Sequence, residues 1–154
     1  MSLCYRTRVK MTDDGPYVWK IIIDFPVEVT EEEASADKFN VFCARRYGLG
    51  EDVIRLKKEN GDILSQGYAK IKKAYPSDIN GNRVTKGNYV TLEMWIGAKN
   101  PMTNPMAAAH GTMKTLIFLD YRITLIGEVA GESGLVFDKF TGSDMRFLKG
   151  WKHG

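Results

Sequence analysis

Apolar residues recur at every second position through much of this chain, and this period of two constrains the fold more than any other feature. In the first such segment, Tyr5–Met11, the apolar positions alternate with three basic residues, Arg6, Arg8 and Lys10. The pattern predicts a half-buried strand with a basic outer face. Further strands with the same alternation are predicted at Phe39–Cys43, Tyr89–Ile96 and Ile117–Leu125.

The segment Tyr17–Phe25 is predicted to be a central strand, because one of its two faces is entirely apolar. Pro26 is expected to end this strand, since proline has no N–H to donate to a neighbour. After it, Thr30 and Glu33 have the spacing of a capping box, which predicts a helix of about two turns. The helix cannot be longer, because the next strand begins near Phe39.

Turn signals separate the predicted strands and define the fold class. Asn60-Gly61 tolerates positive φ at both residues, so it predicts a hairpin between Val53–Lys58 and Ile63–Lys73. The whole layout predicts an all-β domain, an antiparallel β-sandwich of about seven to eight strands with one short helix. A parallel sheet would need crossover helices that the sequence lacks.

We predict one domain over residues 4–128, because the alternation weakens beyond Gly127. Residues 129–154 are expected to form an edge strand near Leu135–Phe137, followed by a linker or tail. Tyr121 is interpreted as a tyrosine-corner residue, whose hydroxyl makes a structural hydrogen bond. The predicted buried positions are Trp19, Ile21, Ile23, Phe39, Val41, Val90, Leu92, Ile117, Leu119, Tyr121 and Ile123.

Composition excludes several classes of protein. The 22 Lys and Arg residues against 19 Asp and Glu residues give a net charge of +3, which is too mild to call for nucleic acid. No apolar run reaches the roughly 18 residues of a membrane helix, so no membrane span is expected. No signal peptide is visible at the start. Cys4 and Cys43 are interpreted as two unpaired thiols, with a disulfide between them left open.

The motifs that would support catalysis are incomplete. Gly131–Gly134 begins like a nucleophile elbow, but Leu135 stands where the elbow needs its last glycine, so a polar turn is the better interpretation. A Ser-His-acid triad needs a histidine base, and neither His110 nor His153 has an obvious orienting partner. Asp78–Asn82 opens like an EF-hand loop but lacks the later glycine and glutamate. We therefore predict no catalytic residue, no metal site and no cofactor.

Two surface patterns have alternative interpretations. A basic strip is typical of edge-strand lysines that block pairing between sheets, and its alternative is a small positive face. A set of aromatic residues offers a sugar-stacking platform, although at least half of them are expected to pack in the core or its rim. The basic strip consists of Lys57, Lys58, Lys70, Lys72 and Lys73, and the aromatic set of Tyr47, Tyr68, Tyr75, Trp95 and Trp151.

Strand and turn residues from Tyr5 to Gly127 together resemble a known family. The matching residues are Gly15-Pro16-x-Val18-x-Lys20-x-Ile22-x-Asp24, Phe39-x-Val41, Ala74-Tyr75-x-Ser77-Asp78-x-x-Gly81, Gly87-x-Tyr89-Val90-x-Leu92, Asn100-Pro101 and Asp120-Tyr121. The chain is similar to the immunoglobulin-like N-terminal domain that precedes the α/β-hydrolase domain in secreted bacterial esterases. Those enzymes are related to polyhydroxybutyrate depolymerases and prolyl-oligopeptidase-like hydrolases.

The resemblance implies a non-catalytic accessory domain that packs on, or helps to assemble, an α/β-hydrolase. The family's catalytic Ser, Asp and His lie in the downstream hydrolase domain, so none is carried over to this chain. The implied partners are that hydrolase domain in the same chain and a second copy in a homo-oligomer, and the implied location is secreted or at the cell surface. Phe137–Phe140 resembles the linker into the enzyme. The alternative is a free-standing cell-surface module for glycan binding or self-association.

Overall fold

Strands dominate the computed structural model, which describes residues 2–48, 59, 61–108 and 114–144. The strands are β1 (Ser2–Thr12), β2 (Gly15–Thr30), β3 (Phe39–Tyr47), β4 (Ile63–Ala69), β5 (Ile71–Ser77), β6 (Lys86–Met94), β7 (Met106–Ala108), β8 (Lys114–Leu125) and β9 (Val136–Asp144). Within these residues, the helical segments are two single 3-10 turns, Ala36–Lys38 and Pro101–Thr103.

One curled sheet contains all the strands except β7, in the order β4-β3-β8-β9-β1-β2-β6-β5, and β7 pairs with the start of β8. Neighbouring strands are antiparallel apart from β1 and β9, which run parallel. We call β4-β3-β8-β9 the first layer and β1-β2-β6-β5 the second layer, because their buried faces share one core. The predicted all-β, immunoglobulin-like fold is confirmed.

Aromatic contacts join the two layers inside this core. Tyr5 of β1 meets Tyr121 of β8 edge to face, with ring centroids 6.1 Å apart, and Phe25 of β2 stacks on Phe137 of β9 at 5.8 Å. Every residue of the predicted core except Trp19 is buried. Because each buried aliphatic or phenylalanine side chain contributes about 1.5–3 kcal/mol, this cluster is the main source of stability.

Trp19 is only half-buried, because a β-bulge interrupts the alternation of β2. Val9 pairs with Val18 and Arg8 pairs with Lys20, which leaves Trp19 without a partner on β1. One extra residue in a strand exchanges the inner and outer faces on its two sides. Val18 therefore joins the core, whereas the Trp19 ring lies beside a lysine on the outer surface.

The strand β9 is not the edge strand that the sequence predicts near Leu135–Phe137. It lies inside the sheet order, antiparallel to β8 and parallel to β1. Phe137 is completely buried, and Val129 also belongs to the core. The residues that follow Phe137 are mostly polar or glycine, so the sequence carries little of the alternation that would show an internal strand.

The predicted strand Ile63–Lys73 is two strands, because the chain crosses from the first layer to the second at Lys70. The buried Asn100 side chain supplies hydrogen bonds at this crossing. Its Oδ1 accepts from the Lys70 N–H at 2.9 Å, and its Nδ2 donates to the carbonyls of Lys70 at 3.0 Å and Trp95 at 2.6 Å. The predicted partner strand Val53–Lys58 lies outside the described residues.

Only the Glu33 half of the predicted capping box is present, and no two-turn helix follows it. Glu33 Oε1 accepts hydrogen bonds from the backbone N–H and the hydroxyl of Thr30, both at 2.9 Å. The chain then makes a turn and the single 3-10 turn Ala36–Lys38 before β3. Strand β2 also continues past Pro26, with its pairing to β6 interrupted between Asp24 and Val29. The irregularity lets the proline lie where no ladder hydrogen bond is needed.

Buried acidic groups predict that the fold weakens in alkali. Burial raises the pKa of the Cys43 thiol from 9.0 to about 12, and it also raises the pKa of the Tyr5 and Tyr121 hydroxyls. The unfolded chain releases these protons above about pH 9 while the folded chain keeps them, so their contribution to stability is constant below that pH and falls above it. Urea midpoints at pH 8, 9 and 10.5 test this, and equal midpoints would contradict it. In Cys43→Ala, the part of the decline that begins near pH 9 should disappear.

Candidate functional site

Of the two catalytic motifs considered in the sequence, only Gly131–Gly134 lies within the described residues. The segment Gly131–Gly134 lies in a tight turn, in which Val129 and Glu132 exchange two backbone hydrogen bonds of 3.0 and 2.9 Å. This confirms its interpretation as a turn. His110 and His153 lie outside the described residues.

The loop Asp78–Asn82 is held together by its own carboxylate. Asp78 accepts hydrogen bonds from the backbone N–H groups of Asn80 and Asn82 at 2.9 Å, and from the Asn82 side-chain amide at 3.1 Å. These bonds occupy the carboxylate within its loop. Throughout the part of the chain that the structure describes, no group of three or more His, Cys, Asp or Glu residues is placed to hold a metal ion.

Cys4 and Cys43 are free thiols, which agrees with their interpretation as unpaired cysteines. Cys43 is buried in the core, whereas Cys4 is partly exposed. None of the described residues belongs to a helix that is long and apolar enough to cross a membrane.

The outer surface of the first layer carries large apolar side chains that the core does not use. We call this surface the aromatic face and define it by Phe42, Tyr68, Leu116, Phe118 and Phe140. Three of its members are strongly exposed, with relative exposures of 68% for Tyr68, 56% for Leu116 and 42% for Phe118. Phe42 and Tyr68 are in edge-to-face contact at 5.4 Å. A group of exposed rings on one face is typical of a protein contact surface.

A separation between β8 and β9 widens the aromatic face at one end. In the described residues these strands pair at only two positions near Phe137. Farther along β8, the Tyr121 N–H donates a hydrogen bond of 3.1 Å to the Tyr5 hydroxyl, which occupies the position that a neighbouring strand would otherwise take. Phe118 and Phe140 meet across the opening with centroids 5.5 Å apart. The opening leaves an apolar cleft of about 100 Å³ beside these two rings.

Ion pairs cross the middle of the aromatic face. Arg46 of β3 pairs with Asp120 of β8 at 3.0 Å, and Arg122 of β8 pairs with Asp138 of β9 at 3.2 Å. Between them, the small Ala44 side chain leaves a depression of about 310 Å³. Arginines and aromatic rings around a depression are the residues that most often dominate protein–protein contacts.

A row of alternating cations and rings lies on the outer surface of the second layer. We call it the cation–ring ladder and define it by Lys10, Trp19, Lys20, Tyr75 and Arg83. The Lys10 and Lys20 ammonium groups lie 5.2 and 4.4 Å from the Trp19 centroid. The Tyr75 centroid lies 5.9 Å from the Lys20 ammonium and 5.3 Å from the Arg83 guanidinium carbon. Cations at these distances are attracted by the electron-rich ring faces.

Lys20 fixes the loop after β5 onto this surface. Its ammonium donates a hydrogen bond to the Gly81 carbonyl at 2.9 Å, and burial, aided by nearby Arg8, lowers the pKa of Lys20 below its usual value of 10.5. Gly81 has a φ of +83°, and a Cβ there would lie 3.2 Å from the side chains of Lys20 and Ile22. The close approach therefore requires glycine.

The five residues of the predicted aromatic platform have different environments. Tyr47 and Tyr75 are buried, while Tyr68 and Trp95 are exposed and belong to different layers. Trp151 lies outside the described residues. The two buried rings agree with the expectation that part of the set serves packing.

Two lysines of the predicted basic strip lie on β5, which ends the sheet order. Lys72 and Lys73 are both exposed, as expected for lysines that protect a sheet edge. Lys73 approaches Glu93 at 3.9 Å, and the Lys72 ammonium lies 5.0 Å from the Trp95 centroid. Lys57 and Lys58 lie outside the described residues.

The sequence did not reveal the aromatic face or the cation–ring ladder. Each surface is assembled by a sheet order that brings together strands far apart in the chain.

Comparison with known proteins identifies the family. A model of the esterase Ig-like N-terminal domain matches residues 5–138. The solved structure of a thermostable esterase shares the fold with a TM-score of 0.64 and 21% identity, covering 92% of this chain and 35% of that chain. The chain thus spans about a third of that esterase, and no curated protein matches it. This chain belongs to the family of immunoglobulin-like N-terminal domains of esterases.

Proposed function

We propose that this chain is a non-catalytic accessory domain of an esterase, and that its aromatic face packs against an α/β-hydrolase domain. The observation that carries the proposal is the exposed aromatic face on a domain whose family is defined by its place at the N-terminus of esterases. The match covers 35% of the chain of the thermostable esterase that has a similar fold. We place the ester-cleaving residues of such enzymes in the unmatched part.

The composition of the aromatic face supports a protein partner. Its apolar rings surround two arginine–aspartate pairs and a depression of about 310 Å³. A partner side chain that fills this depression would also shield both ion pairs from water, which strengthens them. Large rings and arginines at the centre of a patch are the usual sites of strong contact energy.

The proposal is tested by sequencing the native reading frame on both sides of the chain and producing any neighbouring hydrolase domain separately. Calorimetry then measures the Kd between the two parts. We expect Phe118→Ser to raise the Kd on the order of tenfold or more, because the exposed ring borders the apolar cleft of the aromatic face. Ile79→Ser is the matched control, since Ile79 is 40% exposed in the loop after β5, away from the aromatic face, and Phe118 is 42% exposed.

An unchanged Kd in Phe118→Ser, or an equal loss in Ile79→Ser, would contradict docking through the aromatic face. A reading frame without a hydrolase domain would remove the accessory role. A dimer in light scattering that dissociates in Phe118→Ser would assign the face to a second copy. The purified chain should turn over p-nitrophenyl esters no faster than a mock preparation, and faster turnover would contradict a non-catalytic domain.

A further inference from the structure

The outer surface of the second layer has more positive charge than its own carboxylates neutralise. Among the described residues, Lys10, Lys20 and Lys72 form no ion pair with a carboxylate. Lys20 makes one hydrogen bond, to a carbonyl, and faces two rings. Its ammonium has three donors and uses one of them on a neutral group, while Glu93 and Asp78 offset part of its charge without forming an ion pair.

Exposed rings accompany these charges. Trp95 is 52% exposed with the Lys72 ammonium 5.0 Å from its centroid, and Trp19 is half-buried with the Lys10 ammonium 5.2 Å from its centroid. Trp19 precedes Lys20 on β2, and Trp95 directly follows β6, whose Glu93 pairs with Lys20. The surface thus combines cations with indole rings across neighbouring strands, which lie about 4.8 Å apart.

We propose that this surface binds an acidic polysaccharide. Lys10 on β1 and Lys72 on β5 lie three strand spacings apart, about 14 Å, so they would contact the carboxylates of non-adjacent sugars of one polymer. Trp95 would pack its indole face against the C–H groups of a sugar ring. Lys20 is buried at the centre of the ladder and adds to the positive potential without making contact itself. Proteins that bind single-stranded nucleic acid combine several exposed aromatic rings with a strongly basic groove. This chain has one strongly exposed indole among its described tryptophans and a net charge of +3, so its surface does not match that pattern.

Electrophoresis of the chain through gels that contain polygalacturonate tests this proposal. We expect retardation by polygalacturonate at low salt, weaker retardation at physiological salt, and none by the fully methyl-esterified polymer, which has the same backbone without charge. Equal retardation by both polymers, or by neither, would overturn the proposal. A DNA duplex that retards the chain as strongly as polygalacturonate would also overturn it, since the surface would then bind any polyanion.

Single-charge variants locate the site. We expect Lys72→Gln to weaken binding roughly threefold, and Lys10→Gln by a similar factor, because neither change leaves a carboxylate unpaired. Lys139→Gln on β9 removes the same charge from an exposed site in the first layer and should have no effect. An equal loss in Lys139→Gln would overturn the assignment to this surface.

Trp95→Ala separates ring contact from simple charge attraction. The substitution leaves every charge in place, so weaker binding supports stacking on the indole, and unchanged binding would overturn the role of the ring. Circular dichroism of each variant checks that the fold is intact. This proposal is independent of docking to a hydrolase, because Phe118→Ser alters the other layer and should leave retardation by polygalacturonate unchanged.

Discussion

Replacement of Phe137 by alanine is expected to lower the free energy of unfolding by about 3–5 kcal/mol. The side chain is completely buried and stacks on Phe25 at 5.8 Å, so its removal leaves a cavity where β9, β2 and β8 meet. Urea unfolding followed by circular dichroism measures the loss. The loss would establish that β9 carries part of the core.

Phe140→Ala is the matched control on the same strand. Its ring is 37% exposed and covers the buried Tyr5 ring beside the exposed Phe118, so its removal should cost less than about 1.5 kcal/mol. If both variants lost the same small amount, β9 would be a peripheral strand and the core would end before it. Because Phe140 belongs to the aromatic face, the control variant should instead weaken docking to a hydrolase domain.

Replacement of Tyr121 by phenylalanine should lower the free energy of unfolding by about 1–3 kcal/mol. Its hydroxyl donates to the Met102 carbonyl at 2.6 Å in a fully buried site. Phenylalanine keeps the ring and its edge-to-face contact with Tyr5, so the measured loss reports the hydrogen bond and the carbonyl left without it. Thermal and urea unfolding of the purified variant measure this difference.

Tyr68→Phe supplies the control for the hydroxyl. Tyr68 is 68% exposed, so water replaces any bond its hydroxyl makes, and the change should stay within about 0.5 kcal/mol. A loss in Tyr121→Phe no larger than that in Tyr68→Phe would show that the buried hydroxyl adds nothing to stability. The bond to Met102 gives Tyr121 the expected structural hydrogen bond, but it reaches 19 residues upstream, whereas a tyrosine corner bonds the backbone only a few residues upstream.

The sequence predicted the core well, because burial on one face of a strand imposes a period of two that single residues display. Ile21, Leu92 and Ile123 are buried as expected for this reason. Trp19 fails the same rule, because a bulge adds one residue to the strand without any sign in the apolar pattern. A prediction from alternation reverses faces wherever such a bulge occurs.

Local sequence patterns did not predict the long-range features of the fold. The crossing at Lys70 depends on Asn100, which is 30 residues away in the chain and shows no periodic signal. The aromatic face likewise depends on the pairing of β4, β3, β8 and β9, so Tyr68 and Phe140 become members of one surface only after the strands assemble. No local pattern distinguishes these exposed rings from buried ones.

The parallel pairing of β1 and β9 has a mechanical consequence. Ser2 lies beside Val136 and Arg8 lies beside Asp144, so the first and last described strands advance in the same direction along a shared ladder. Tension applied through these two strands would slide one along the other and load all their hydrogen bonds at the same time. Strands that are pulled apart from one end would instead break their hydrogen bonds one after another. This shear arrangement should therefore make the domain harder to stretch along the axis of β1 and β9 than an arrangement that opens from one end.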